Sequence, residues 1–181
     1  METESALEWE KFCRGRKGYS ADLFEDCREQ PGGNEHQIFQ TGDGTRAIKL
    51  TNPPSFGAWG ALLPYLNNLV LNNHLHGDDQ RVEAFLPAPE GGEGVQLVMT
   101  QPWILGDDAG EEEISRFMIE RGFELFCPNG WISTATNVKI TDARSPNIKK
   151  SEGGLLIPID VHIVAPETVL EAAWREQAER E

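Results

Sequence analysis

Apolar positions change their spacing several times along the chain, and each change marks an element. Between Thr3 and Arg14, Ala6, Leu7, Trp9 and Phe12 recur at near-helical spacing and predict a short amphipathic helix. The stretch from Arg16 to Gly33 is mostly polar and assigns to nothing. Gln37–Gln40 and Thr45–Leu50 read as two strands around Thr41-Gly42-Asp43-Gly44, where Asp-Gly is a hairpin turn signal. Pro53-Pro54 ends the second strand. The Leu-rich run from Gly57 to Leu75 predicts a helix, kinked or restarted at Pro64 and closed by Gly77-Asp78-Asp79.

Arg81–Leu86 and Gly94–Met99 form a second strand pair in this reading, and Gln101-Pro102-Trp103 interrupts the pattern. Asp107-Asp108 is placed to cap a helix over Glu111–Arg121, with Ile114, Phe117 and Met118 inward and Gly122 as its stop. Short strands follow at Phe123–Phe126 and Trp131–Thr134 around a Pro-Asn-Gly turn, then at Val138–Ile140, Ile148–Lys150 and Leu155–Ile159. A last helix runs from Pro166 to Glu181. The alternation of strand pairs and helices predicts an α+β chain. It divides into an N-terminal helical or irregular extension (1–31), a main domain (32–163) and a C-terminal helix (164–181).

The 181 residues carry a net charge of −14. Generic nucleic-acid binders cluster Lys and Arg to displace counterions. Here the basic runs stop at pairs such as Arg16-Lys17, so nucleic acid and anionic membranes are excluded as broad partners. The three cysteines, Cys13, Cys27 and Cys127, support neither a disulfide framework nor a zinc knuckle. No apolar run approaches the roughly 18 residues of a membrane span. The expectation is a protein of the reducing cytosol.

The chemistry concentrates in Ile140-Thr141-Asp142-Ala143-Arg144-Ser145-Pro146-Asn147 and in Ile157-Pro158-Ile159-Asp160-Val161. The first resembles the D-x-x-x-x-N core of a protein-kinase catalytic loop. The second, about 18 residues on, puts an aspartate after an apolar strand, like the metal-binding Asp of kinases. A triphosphate with Mg²⁺ needs hard oxygen ligands, which Asp160 and Asn147 supply; Asp142 can take the proton of an acceptor hydroxyl. Arg46-Ala47-Ile48-Lys49 resembles the V-A-I-K strand whose lysine grips phosphate. Register then makes the Gln101 carbonyl and the Trp103 N–H the expected partners of an adenine, with Pro102 between them.

Glu35-His36, Ile48-Lys49-Leu50-Thr51, Phe56-Gly57, Tyr65-Leu66, Gly77-Asp78-Asp79, Thr100-Gln101-Pro102 and Pro158-Ile159-Asp160-Val161 together are similar to the compact kinase-like domain of phage and mobile-element polyvalent proteins, over about residues 32–163. The resemblance implies a serine/threonine/tyrosine kinase-like fold with an antiparallel-sheet N-lobe and a truncated C-lobe. It implies ATP and Mg²⁺ as cofactors and a protein or small-molecule phosphoacceptor. Lys49 and Asp142 would be catalytic; Lys49, Gln101, Trp103, Asn147 and Asp160 would bind nucleotide, Asn147 and Asp160 through the metal. The chain departs from ordinary kinases in having no G-x-G-x-x-G, with Gly32-Gly33-Asn34 before the first clear strand. Ile140-Thr141 and Val161-His162 replace the usual framing residues, and the first long helix has no glutamate for Lys49, leaving Glu35 and Glu83 as substitutes.

Those departures keep a catalytically inactive, nucleotide-binding regulatory module in play. A third reading is a metal-dependent hydrolase using Asp142, Asp160 and His162, the last two on one strand face. A metal cluster at His74-x-His76-Gly77-Asp78-Asp79, a His36 ligand, a Cys127 nucleophile and base stacking on Trp131 are weaker still. For each of these, packing or a solvated loop is the simpler account.

Overall fold

A computed structural model describes residues 24–31, 35–52, 56, 59–87 and 95–180. The expected helix at Thr3–Arg14 and the glycines at 32–33 lie outside them. The chain forms two compact units, 1–66 with 79–103 and 67–78 with 104–181.

The first unit is built on a five-stranded antiparallel sheet in the order β1-β2-β3-β5-β4. Its strands are β1 (Arg28–Gln30), β2 (His36–Gln40), β3 (Arg46–Thr51), β4 (Arg81–Pro87) and β5 (Val95–Pro102). The β2–β3 hairpin turns where Asp-Gly requires it. Gly44 has φ +73°, and one Asp43 carboxylate oxygen accepts from the Thr45 N–H and from both the Thr41 and Thr45 hydroxyls. Those donors hold the Asp43 pKa below its ordinary value, the Thr41 hydroxyl most of all.

Strand β1 lies within the segment 1–31. Arg28–Gln30 pairs with Gln40–Ile38, so the end of the segment read as an extension belongs to the sheet. Strand β5 also runs further than expected, with Pro102 opposite Arg46. A proline is tolerated there because β4 pairs no further than Arg81↔Thr100, and no neighbour asks for its N–H on that side.

Side-chain alternation sorts the sheet into two faces. Ile48, Leu50, Ala84 and Val98 pack together on one, with Phe24, Cys27, Phe39 and Leu86 against them. The other carries Ala47, Lys49 and Thr51 with their neighbours Gln101 and Met99. The first turn of α1 (Leu62–His76) belongs to this unit and contacts that second face: the Tyr65 hydroxyl donates to Met99 Sδ at 2.6 Å and shares a 2.9 Å bond with His36 Nε2. His36 is thus a packed, bonded histidine. Pro64 causes no kink, since it sits in the first turn, whose N–H groups have no intrahelical partner.

The second unit contains the rest of α1, α2 (Glu111–Glu120), α3 (Glu167–Arg180) and two sheets. One has the order β12-β9-β8-β7, from β7 (Glu124–Cys127), β8 (Gly130–Ser133), β9 (Val138–Thr141) and β12 (His162–Val164). The other has the order β11-β10-β6, from β6 (Asp107–Asp108), β10 (Ile148–Lys150) and β11 (Leu156–Pro158). Asp107 and Asp108 therefore do not cap α2. They pair with Lys150 and Lys149, and Lys149 Nζ reaches the Asp108 carboxylate. The cap is Gly110, whose N–H donates to Glu113 Oε2 at 3.0 Å. Gly122, at φ +78°, ends the helix as expected, with the Phe123 N–H returning to the Met118 carbonyl.

Helix α3 packs on α1 through polar ties. Trp174 Nε1 donates to Asn67 Oδ1, Asn73 Nδ2 to Gln177 Oε1, and His74 Nδ1 meets Glu176 Oε2. His74 and Arg180, in that order, hold the Glu176 carboxyl below its usual range.

Candidate active site

In the first unit, Lys49 stands in the middle of β3 between Ile38 and Met99 and is 6 % exposed. Gln101 lies on the same face, opposite Ala47, two residues along the strand from Met99. Lys49 and Gln101 are thus brought to one surface by the alternation of β3 and β5.

The backbone roles expected for adenine meet a different register. The Trp103 N–H donates to the Thr45 carbonyl at 2.8 Å. In an antiparallel ladder, residues two apart point their backbone groups the same way, so Gln101 also turns its carbonyl toward β3. Counting from Thr100 alone does not show which residues β3 bonds.

A charged network surrounds the other face of the same strands. Arg46 donates to the Asp79 carboxylate and carbonyl at 2.8 and 2.7 Å and to Thr100 Oγ1 at 3.1 Å. Arg81 takes both Asp79 oxygens. Burial pushes the Asp79 pKa up, but the hydrogen bonds from Arg81 and Arg46 outweigh it and hold the group below its ordinary value. Glu83, the extra residue of a β-bulge in β4, accepts from the Thr100 hydroxyl at 2.6 Å.

In the second unit, β9 delivers Asp142 with a left-handed backbone, φ +55°. The chain then makes one 3₁₀ turn, Ser145–Asn147. Asn147 returns its amide nitrogen to Asp142, 2.6 Å from Oδ2 and 2.9 Å from the carbonyl. Arg144 Nε lies 2.8 Å from the other carboxylate oxygen. This cation was inside the recognised motif, but its contact with the aspartate two residues back follows from the turn and not from the spacing. Asn147 is 6 % exposed, while the Asp142 side chain keeps 34 %.

The β10–β11 hairpin sets Ile148 opposite Pro158, and the Ile159 N–H donates to the Asn147 carbonyl at 2.9 Å. Asp142, Asn147 and the residue preceding Asp160 are therefore linked by consecutive hydrogen bonds. Strand β11 ends at Pro158, so Asp160 occupies a bend and is exposed. His162 begins a different strand, opposite Thr141. Asp160 and His162 thus do not share the strand face expected of them. Among the described residues no three His, Cys, Asp or Glu side chains are placed to hold a metal ion together.

The other candidate cluster disperses. His74 binds Glu176, Asp79 binds Arg46 and Arg81, and His76 is packed inside the unit. Trp131 is 4 % exposed and belongs to the core.

No curated protein matches the sequence. A family model does, over residues 2–165, and its description is a serine/threonine/tyrosine kinase found in polyvalent proteins. The match includes every candidate residue from Lys49 to Asp160 and stops just before α3, and with it the chain belongs to the kinase family of polyvalent proteins.

Proposed function

We propose that the protein binds ATP with Mg²⁺ and transfers the γ-phosphoryl group to a hydroxyl of a protein or small molecule. Lys49 holds phosphate oxygens. Asp142 orients the acceptor hydroxyl and takes its proton as the oxygen attacks phosphorus and ADP departs. Asn147 and Asp160 hold the metal, which when bound neutralises charge on the phosphates. The donor set suits it. The Asn147 amide nitrogen is committed to Asp142, which turns the side-chain oxygen away as a neutral ligand, and Asp160 offers an exposed carboxylate. Gln101 and Trp103 meet the base through side chains, since their backbone groups face β3.

The observation that carries this reading is the bonded series Asp142–Asn147–Ile159, ending beside Asp160, in a chain of the kinase family. Lys49→Ala and Asp160→Ala are each expected to weaken Mg·ATP binding, measured by calorimetry, by tenfold or more, on the order of outer-shell and ligand losses at metal sites. Unchanged affinity in both variants refutes the assignment.

One observation favours a second reading, a nucleotide-binding regulatory module without turnover. Both Asp142 carboxylate oxygens already accept hydrogen bonds, which leaves each with fewer lone-pair sites for a substrate hydroxyl. A thermal shift with Mg·ATP but no transfer of labelled phosphate to any hydroxyl would select that reading.

A further inference from the structure

Helix α1 contains Leu66-Asn67-Asn68-Leu69-Val70-Leu71-Asn72-Asn73, two asparagine pairs around a buried apolar run. Asn67 and Asn73 bind α3. Asn68 and Asn72, one turn apart and on one side of the helix, do something else. Asn68 Oδ1 accepts the Ile163 N–H at 2.8 Å. Asn72 Nδ2 donates to the Val161 carbonyl at 3.3 Å, and also to the Asn68 carbonyl and side-chain oxygen.

We propose that Asn68 and Asn72 are positioning residues, a clamp that fixes the backbone beside Asp160 and so aims its carboxylate at Mg²⁺. The inference rests on the reading of Asp160 as a metal ligand. Among the described residues, strand β12 is the edge of its sheet and pairs only with β9. The backbone groups of Val161 and Ile163 that face away from β9 are met by the two helix amides in place of a further strand. On the other side, the Ile159 N–H is held by the Asn147 carbonyl. The backbone is thus tied at Ile159 and again at Val161, and Asp160 is the single residue between.

Burial makes the Asn72 amide expensive to keep for any lesser reason. Asn72 is 1 % exposed, Val161 0 % and Ile163 2 %. Leucine would fill the same space without an amide to satisfy. The Asn72 side-chain oxygen is itself buried and meets no hydrogen-bond donor among the described residues. The residue therefore accepts one unmet group to supply its N–H to Val161.

The test is a Mg²⁺ titration of ATP binding beside metal-free ATP binding, with amide hydrogen exchange at Val161–Ile163. Asn68→Leu is expected to raise the Mg²⁺ half-saturation by about tenfold or more, as outer-shell losses do, with metal-free affinity within about twofold. Its Ile163 amide should exchange faster. Asn68→Asp keeps an acceptor for Ile163 and is expected to stay near wild type. Asn72→Asp adds the same charge but removes the donor to Val161, and is expected to behave like Asn68→Leu. Amide exchange elsewhere in the unit, unchanged in a folded variant, separates loss of the tie from a general loss of fold.

Equal Mg²⁺ half-saturation in Asn68→Asp and Asn72→Asp overturns the clamp. So does an equal fall of metal-free and Mg²⁺-dependent affinity. A wild-type protein that binds ATP identically with and without Mg²⁺ instead refutes the metal reading of Asp160, and the clamp's role in aiming it falls with that reading.

Discussion

Replacing His76 by leucine is expected to remove a large part of the acid sensitivity of the fold between pH 7 and pH 5. His76 is the last residue of α1, and its Nε2 is buried with no hydrogen-bond partner among the described residues. Burial, and then the positive charge of Arg121, push its pKa from the ordinary 6.5 down to about 4. The sign follows from where the proton prefers to be. Above pH 6.5 the imidazole is neutral in both states and contributes nothing to pH dependence. As the pH falls below 6.5, the unfolded chain takes a proton that the folded chain refuses, so stability drops until about pH 4 and then levels off.

The gap between 6.5 and about 4, at about 1.4 kcal/mol for each pH unit, corresponds to about 3 kcal/mol in total. About 2 kcal/mol of this is lost by pH 5, before most carboxylates titrate. That is a large share of the 5–15 kcal/mol typical of a folded domain. Urea unfolding at pH 7 and pH 5, for wild type and His76→Leu, measures it. The wild type should lose about 2 kcal/mol more than the variant over this interval. The variant should be no less stable than wild type at pH 7, since leucine removes a buried, unmet nitrogen. Parallel losses in the two proteins would refute the reasoning, because the proton would then not distinguish folded from unfolded His76.

Two further substitutions test the framework around the site. Gly106→Ala places a Cβ against the Lys150 carbonyl, so β6 must leave β10; a cost of about 2 kcal/mol or more is expected in a thermal melt, the scale of overpacked sites. Arg46→Lys keeps the charge but loses the planar fork that reaches both Asp79 and Thr100, with an expected cost of about 1 kcal/mol in denaturant unfolding.

What could be read from the chain depended on whether the signal was local. The β2–β3 hairpin, the Gly122 stop and the turn at Asn129, with φ +56°, are each written in a few adjacent residues, and all were legible. So was the loop that turns between Asp142 and Asn147, because a five-residue spacing crosses a single short turn. Strand β1 was not, since Arg28-Glu29-Gln30 is a polar edge strand without apolar alternation. Asp107-Asp108 misled because aspartate is both a good cap and, opposite Lys149 and Lys150, a good strand neighbour. Choosing between those requires knowing what lies 41 residues away. The backbone directions at Gln101 and Trp103 are hidden for a related reason: whether a backbone group faces a ligand or a strand is set by ladder parity, which one residue of register reverses.

The left-handed backbone of Asp142 bears on how any loss of activity here should be interpreted. Alanine resists that conformation by about 1–2 kcal/mol, whereas asparagine and aspartate tolerate it. Alanine would also release Asn147 and Arg144. An inactive Asp142→Ala protein would therefore confound a missing base with a loop that no longer presents Asn147, while Asp142→Asn removes the proton acceptor, tolerates the backbone and keeps one oxygen to accept from either Asn147 or Arg144. Of the two, the asparagine variant disturbs the turn less, and amide exchange at Asn147 in that variant separates lost chemistry from lost architecture.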